Sequence, residues 1–457
     1  MSLRVATPSE ERVDARGLLA FLDEIETHPG IRPHGLVVLH DRARIAEGWW
    51  APFAPDRVQL LYSLSKSFTS TAVGLARAEG LVDLDATVLS YFPELDADIT
   101  DPRSRAMRVR DVAAMASGHA LDTIDRAAEL DPADLVRGFL LLPPDSEPGS
   151  RFAYNQPCTY ALARIVQRVT GSTLIDYLRP RVFEPLGIGE AVWLQAPPGT
   201  DLGFSGLHST ADAVARLGEL YRRGGMWGDR RILDEEWVDL ATRRHIDTAG
   251  AGVPDWERGY GFQFWMSKHG YRGDGAFGQF CVVVPEKRLV VAITSETEFM
   301  QEVLDALWEH VIPAIGAGGD ADADAELAER LAVLSLPPAA GEAEPPAGEA
   351  WDGREFAASG PITAVRVAAG EDGWTLTLVD DGGEVVVPIG GGSWRVREGA
   401  VPVAGSGGWT AGALAVEAMF LEAPHTLRVH CTPDGVATAR WNTVPLHSTR
   451  PSDQHRP

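Results

Sequence analysis

From Ser65 to Ala78 the apolar positions Phe68, Ala72, Val73, Leu75 and Ala76 recur at helical spacing, with Gly80 just beyond as a stop. That pattern predicts a helix with a largely buried face. Further helices are predicted in the middle of the chain, roughly 82 to 250. Thr159 to Thr170 carries Leu162, Ile165, Val166 and Val169 on one stripe before Gly171, and Ala211 to Arg223 follows. On either side of this stretch the apolar runs shorten. Residues 35 to 50, GLVVLHDRARIAEGWW, predict two strands about a polar turn at Asp41 and Arg42. Gly259 to Trp265, Phe280 to Val284 and Leu289 to Thr294 are apolar or aromatic runs, the last two joined as a hairpin by Pro285-Glu286-Lys287-Arg288. Strands at both ends with helices between them predict an α+β fold, an antiparallel sheet into which a helical lobe is inserted.

The stretch from Pro337 to Ala350, PPAAGEAEPPAGEA, has no periodicity and reads as a linker. Beyond it come short β-rich segments, Ile362 to Val367, Trp374 to Val379, Glu384 to Ile389 and Ala413 to Phe420, divided by turns such as Asp372-Gly373 and Asp381-Gly382. The chain therefore divides into a first domain over 1–336, a linker over 337–350 and a small all-β, barrel-like domain over 351–457.

Composition narrows the classes of function. The chain has 457 residues, 45% hydrophobic and 23% charged, which is the make-up of a folded globular protein. A net charge of −24 repels phosphate backbones and anionic lipid head groups, so neither nucleic acid nor membrane is expected as a partner. Cys158, Cys281 and Cys431 lie far apart without ligand spacing, and the histidines, His119 and His208 among them, show none either. No metal and no cofactor is implied. The N-terminus lacks an apolar run of signal-peptide length and no later stretch approaches about 18 apolar residues, from which a cytoplasmic location is expected.

Lysine usage changes the picture further. Lys66, Lys268 and Lys287 are the three lysines among 41 basic residues. Arginine serves wherever a fixed positive charge suffices, so a lysine outside a solvated loop points to an amine that must lose its proton. Lys268 and Lys287 lie in turn sequences; Lys66 does not. Ser63-Leu64-Ser65-Lys66 sets a serine and this lysine three residues apart at a helix start, on one face. A serine hydroxyl becomes a nucleophile when a neighbouring base takes its proton, and a buried lysine can be that base. The amides at the helix start face the place where an oxyanion would develop.

Ser63-Leu64-Ser65-Lys66-Ser67-Phe68, then Gly80-Leu81-Val82-Asp83-Leu84-Asp85, Tyr91-Phe92-Pro93, and Met107 to Val112 with Met115-Ala116-Ser117-Gly118-His119, resemble the serine β-lactamase and penicillin-binding protein superfamily over roughly residues 30 to 310. The likeness is to class C β-lactamases and their esterase and amide-hydrolase relatives. It implies a β-lactamase/DD-peptidase-like sheet with a helical lobe. It also implies two more elements. In Phe152-Ala153-Tyr154-Asn155-Gln156, Tyr154 would be a second base coupled to Lys66, with Asn155 and Gln156 at substrate-binding positions. Asparagine follows the tyrosine directly, and Gln156 holds the place where the family has asparagine. The third element, normally Lys-Thr-Gly or His-x-Gly, best matches Gly273-Asp274-Gly275, as a substrate-binding strand whose glycines let substrate approach the backbone. Ala276 would add an oxyanion amide beside that of Ser63.

The family's cationic residue is missing from this third element, although Arg272 stands beside it and could partly replace the charge. A site without that cation favours small neutral esters or amides over carboxylate-bearing β-lactams and peptides. The resemblance therefore implies a serine hydrolase acting through an acyl-enzyme on Ser63. The alternatives are a β-lactamase or DD-peptidase-type penicillin-binding protein, and a catalytically silent ligand-binding relative. A small appended barrel, as some relatives carry, could restrict the cleft or supply contacts for a homodimer.

Overall fold

The structure, a computed structural model, describes residues 3–457. A seven-stranded sheet runs in the order Arg4–Val5, Ala43–Trp49, Ile31–His40, Leu289–Thr297, Gln279–Val284, Tyr271–Gly275, Trp265–Met266. Its neighbours are antiparallel except Arg4–Val5, which lies parallel to Ala43–Trp49. The first hairpin turns at Asp41 and Arg42, both at positive φ (43° and 73°), the two-residue geometry that matches strand twist.

The central strands read as unbroken apolar runs because both faces of the sheet are covered. Val37, Leu39, Cys281, Val283, Val290 and Ala292 face the helical lobe. Leu36, Val38, Phe280, Val282, Val291 and Ile293 face the opposite way, onto the Ala15–Thr27 and Met300–Ala306 helices. Side chains alternate across a strand, so one sequence feeds two cores.

The predicted helices are present as Ser65–Ala78, Gln156–Thr170 and Ala211–Arg222. Gly171, at φ 66°, ends the second in the left-handed conformation, and Thr210 caps the third through the amide of Ala213. Ser65–Ala78 is buried from Ser65 through Ala76, polar residues included. Its hydroxyls reach loop backbone: Ser67 Oγ donates to Gln263 O (3.1 Å), Ser70 Oγ to Phe262 O (2.8 Å) and Thr69 Oγ1 to Gly203 O (2.8 Å), while Ser65 Oγ accepts from the amide of Leu207 (3.0 Å).

One prediction is corrected here. Gly259 to Trp265 is no strand; only Trp265–Met266 is. Tyr260, Phe262 and Phe264 bury their rings, but the carbonyls of Phe262 and Gln263 are taken by Ser70 and Ser67 of the buried helix, and Gln263 sits at φ 67°. A ladder cannot form where its acceptors are already occupied.

The C-terminal region forms a nine-stranded, nearly closed barrel-like sheet. Its end strand Gly383–Pro388 comes so close to Val403–Thr410, next to the other end, that a Cβ on Gly405 would lie 1.8 Å from the Pro388 carbonyl. Ala404, Met419 and Leu421 extend the core beneath the first sheet, so the two sheets share packing. Between them Glu296, fully buried, accepts from the Thr426 amide (3.0 Å) and hydroxyl (2.7 Å) and from Thr443 Oγ1 (3.0 Å). The segment from Pro337 to Ala350 is fixed against the barrel: Glu342 exchanges both backbone hydrogen bonds with Trp409 (2.9 and 3.0 Å).

Candidate active site

Ser63 is delivered by a short strand and a strained turn. Gln59–Leu60 pairs with Leu207–Ser209, and the Leu61 amide donates to Leu207 O (2.8 Å). Tyr62 then turns at φ 46°, a conformation that costs a non-glycine residue about 1–3 kcal/mol. Ser63 follows in the 3-10 turn Tyr62–Leu64, and the Ser65–Ala78 helix begins immediately after. The turn points the half-buried Ser63 out at the helix start, where the macrodipole is positive.

Lys66 is buried and donates to Ser63 Oγ (3.0 Å), Gln156 Oε1 (2.7 Å) and Phe204 O (2.8 Å). Burial lowers its pKa to about 7, against the opposing pull of Asp122 and Asp274. An amine with that pKa is divided between its two forms near neutrality and can accept a proton there. Gln156 serves as a direct partner of the lysine, held by its own amide on Asp122 Oδ1 (3.1 Å).

Tyr154 lies against the same group: Lys66 Nζ is 4.8 Å from its ring centroid, and the ring stacks on Trp265 at 5.4 Å. Burial, with the charge of Asp274, raises the phenol's pKa above its ordinary value, while the nearby Ser63 hydroxyl works the other way. Tyr154 therefore holds its proton at neutral pH, and Lys66 is the group that can be vacant.

The strand Tyr271–Gly275 passes against the turn that carries Ser63. A Cβ on Gly275 would meet Leu61 O at 2.1 Å, and one on Gly273 would meet Ser67 Oγ at 2.5 Å. These glycines have a packing role as well: the absence of a Cβ at both lets the strand touch the turn and the helix. It also brings Ala276, the next residue, against the Leu60, Tyr62 and Phe277 cluster that adjoins Ser63 in the chain. Among the described residues, neither the Ser63 nor the Ala276 amide has a backbone carbonyl acceptor.

Asp274 points to the opposite face. Its Oδ2 accepts from Arg272 Nε (3.0 Å), and burial raises its pKa while Arg272 holds it down. Arg272 is fully buried, donating through Nη1 to Asp255 O, Met266 O and Ser267 Oγ (3.2, 3.0 and 2.8 Å), with its guanidinium 4.3 Å from the Trp256 ring centroid. It does not replace the missing cation, because its charge is spent on Asp274. Asn155 also departs from expectation. It is fully buried, accepting from the Thr123 amide and hydroxyl (2.9 Å each) and donating to Ser117 Oγ (3.3 Å). It ties two loops together and leaves no surface for a substrate. His119 and His208 are core residues bonded to Ser117 and Leu142, and to Gly206.

Sequence reasoning missed the C-terminal contribution. His447, beyond the last barrel strand, bonds Ser205 Oγ through Nε2 (2.7 Å) and stacks on Tyr62. Its only signal is position, a histidine in a tail after the β alternation ends.

The Beta-lactamase family profile matches residues 21–312. The chain is 30% identical over 252 residues to the 6-aminohexanoate-dimer hydrolase of Paenarthrobacter ureafaciens, covering 51% of this chain and 63% of that protein. It is 28% identical over 158 residues to the lovastatin esterase of Penicillium rubens, covering 30% and 39%. The chain thus spans less than two thirds of the length of these relatives, which are hydrolases. The octameric penicillin-binding protein homologue of Pyrococcus abyssi shares the fold over 90% of this chain and 97% of its own, at a TM-score of 0.51 and 15% identity. No helix among the described residues is long and apolar enough to cross a membrane. With the profile spanning most of the chain and the fold in agreement, this protein belongs to the Beta-lactamase family.

Proposed function

We propose that the protein is a serine hydrolase that cleaves a small ester or amide through an acyl-enzyme on Ser63. The observation that carries this reading is the Lys66 amine, 3.0 Å from Ser63 Oγ with its pKa lowered to about 7. Neutral Lys66 takes the hydroxyl proton as Oγ attacks the substrate carbonyl carbon. The developing oxyanion accepts from the amides of Ser63 and Ala276. Tyr154, protonated at rest, passes its proton to the leaving group and regains one from Lys66, so the two act as a coupled pair. Water then attacks the acyl carbonyl by the reverse proton path and frees Ser63.

Charge argues for the substrate class. Gly273 brings no cation, and the charges of Arg272 and Asp274 are spent on each other. A substrate carboxylate would find no cation on this strand to pair with, whereas a neutral group needs none. The relatives named as a 6-aminohexanoate-dimer hydrolase and a lovastatin esterase agree with amide or ester hydrolysis as the reaction class. This disfavours the β-lactamase and DD-peptidase reading.

The test is intact-mass spectrometry after exposure to a fluorophosphonate, a p-nitrophenyl ester and a penicillin in parallel. A fluorophosphonate adduct with ester turnover is expected, both lost in Ser63→Ala, and no lasting penicillin adduct. A wild-type mass unchanged by fluorophosphonate would sink the reading; a stable penicillin adduct would restore the alternative.

A further inference from the structure

Two restraints on the site originate in the C-terminal region. The first reaches the turn that carries Ser63. His425 Nδ1 faces the Thr443 carbonyl (3.0 Å), which fixes its proton there and leaves Nε2 to accept from the Tyr62 hydroxyl (2.5 Å). The same hydroxyl accepts from the Leu446 amide (3.3 Å). Tyr62 needs such anchoring, since its φ of 46° persists only where the surroundings enforce it. The His447 ring lies on the Tyr62 ring, 5.5 Å between centroids and 6° from parallel.

The second restraint reaches Lys66. Phe204 O accepts from Nζ, and the next residue, Ser205, is held by His447 Nε2 at 2.7 Å. Ser205 is itself buried, its carbonyl taken by Trp193 Nε1 (2.7 Å). One imidazole therefore touches both the residue before the nucleophile and the residue after the carbonyl that grips the base. His447 is exposed on its remaining surface, so nothing in core packing requires a histidine there.

We propose that His447 is a positioning residue of the hydrolase site, supplied by the tail of the C-terminal barrel to fix Ser63 and Lys66 relative to one another. The proposal rests on the serine-hydrolase reading above. A displacement of either group by about 1 Å is enough to cost a large factor in rate. The ring supplies stacking to Tyr62, and the nitrogen supplies the bond to Ser205.

The experiment compares wild type with His447→Ala, His447→Gln and His447→Phe, with His430→Ala as an exposed-histidine control on the same barrel and Ser63→Ala as the labelling control. Two quantities are read: the rate of fluorophosphonate labelling, and hydrogen exchange of peptides spanning residues 59–68, both at temperatures well below each variant's Tm. The expected result is labelling at least tenfold slower in His447→Ala with faster exchange across 59–68. Partial recovery is expected in His447→Gln, which can still bond Ser205, and in His447→Phe, which can still stack on Tyr62. His430→Ala should match wild type. Unchanged exchange in His447→Ala would overturn the proposal whether or not the label reacts. So would a wild-type labelling rate in that variant, or equal slowing in all three His447 variants. Labelling that persists in Ser63→Ala would instead overturn the hydrolase reading, and the exchange data would still judge His447.

Discussion

The helix Ser65–Ala78 and the barrel strands are both buried, by opposite means. In the strand Ala413–Phe420, Leu414, Val416 and Ala418 enter the core while Ala413, Ala415 and Glu417 do not, so burial follows the two-residue alternation of the strand and the buried side chains are apolar. In the helix, Ser65, Ser67, Thr69, Ser70 and Thr71 are as buried as Phe68 and Ala72. The hydroxyls of Ser65, Ser67, Thr69 and Ser70 are satisfied by backbone groups far away in the chain, at Leu207, Gln263, Gly203 and Phe262, while Thr71 bonds Ser67 O one turn back and the Tyr221 hydroxyl. A strand held by apolar packing tolerates drift in its partners; a helix held by directed bonds does not. The site sits on the element whose position is specified bond by bond.

The sharpest way to separate the two regions is chemical. Lys66→Ala should slow fluorophosphonate labelling by about 10²–10⁴-fold, the usual worth of a general base, whereas no barrel-core substitution that still folds should approach this. Stability provides the opposite contrast. Leu378→Ala, deep in the barrel, should cost about 2–5 kcal/mol in denaturant unfolding and leave labelling by the folded fraction intact. The pH dependence belongs to the helix alone. A lysine lowered to about 7 is protonated below that value and cannot accept, so labelling should fall about tenfold per unit below it and level off above; a profile flat from pH 5 to 9 would contradict the assignment. Ser70→Ala strips the Phe262 carbonyl of its donor and should cost about 1–3 kcal/mol, although it removes a single oxygen. Thr377→Ala on the outer face of the barrel should stay within about 0.5 kcal/mol.

The same contrast explains what could be read from the sequence. The hairpin at Asp41 and Arg42, the helices ending near Thr170 and Arg222, and the strand Ala413–Phe420 all follow from periodicity and turn chemistry. The pairing of Ser63 with Lys66 was legible because three residues on a helix set their distance and because lysine is so scarce here. Three features were hidden, each decided by a distant partner. Asn155 is claimed by Thr123 and Ser117, Gly273 and Gly275 by the turn at Leu61 and the helix at Ser67, and Arg272 by Asp274. His447 was beyond reach for the same reason: its partners lie more than two hundred residues away in the chain.

The strapping of Glu342 onto Trp409 has a practical side. With Glu296 and Tyr62 also bonded across the junction, the peptide between the two parts is no longer what keeps them together. A protease nick within that strap should leave fragments that co-elute in native buffer and separate only when denatured. Inheritance follows the same logic: a C-terminal sheet exchanged between relatives would arrive without the junction contacts made for its new host, so the two parts must diverge together.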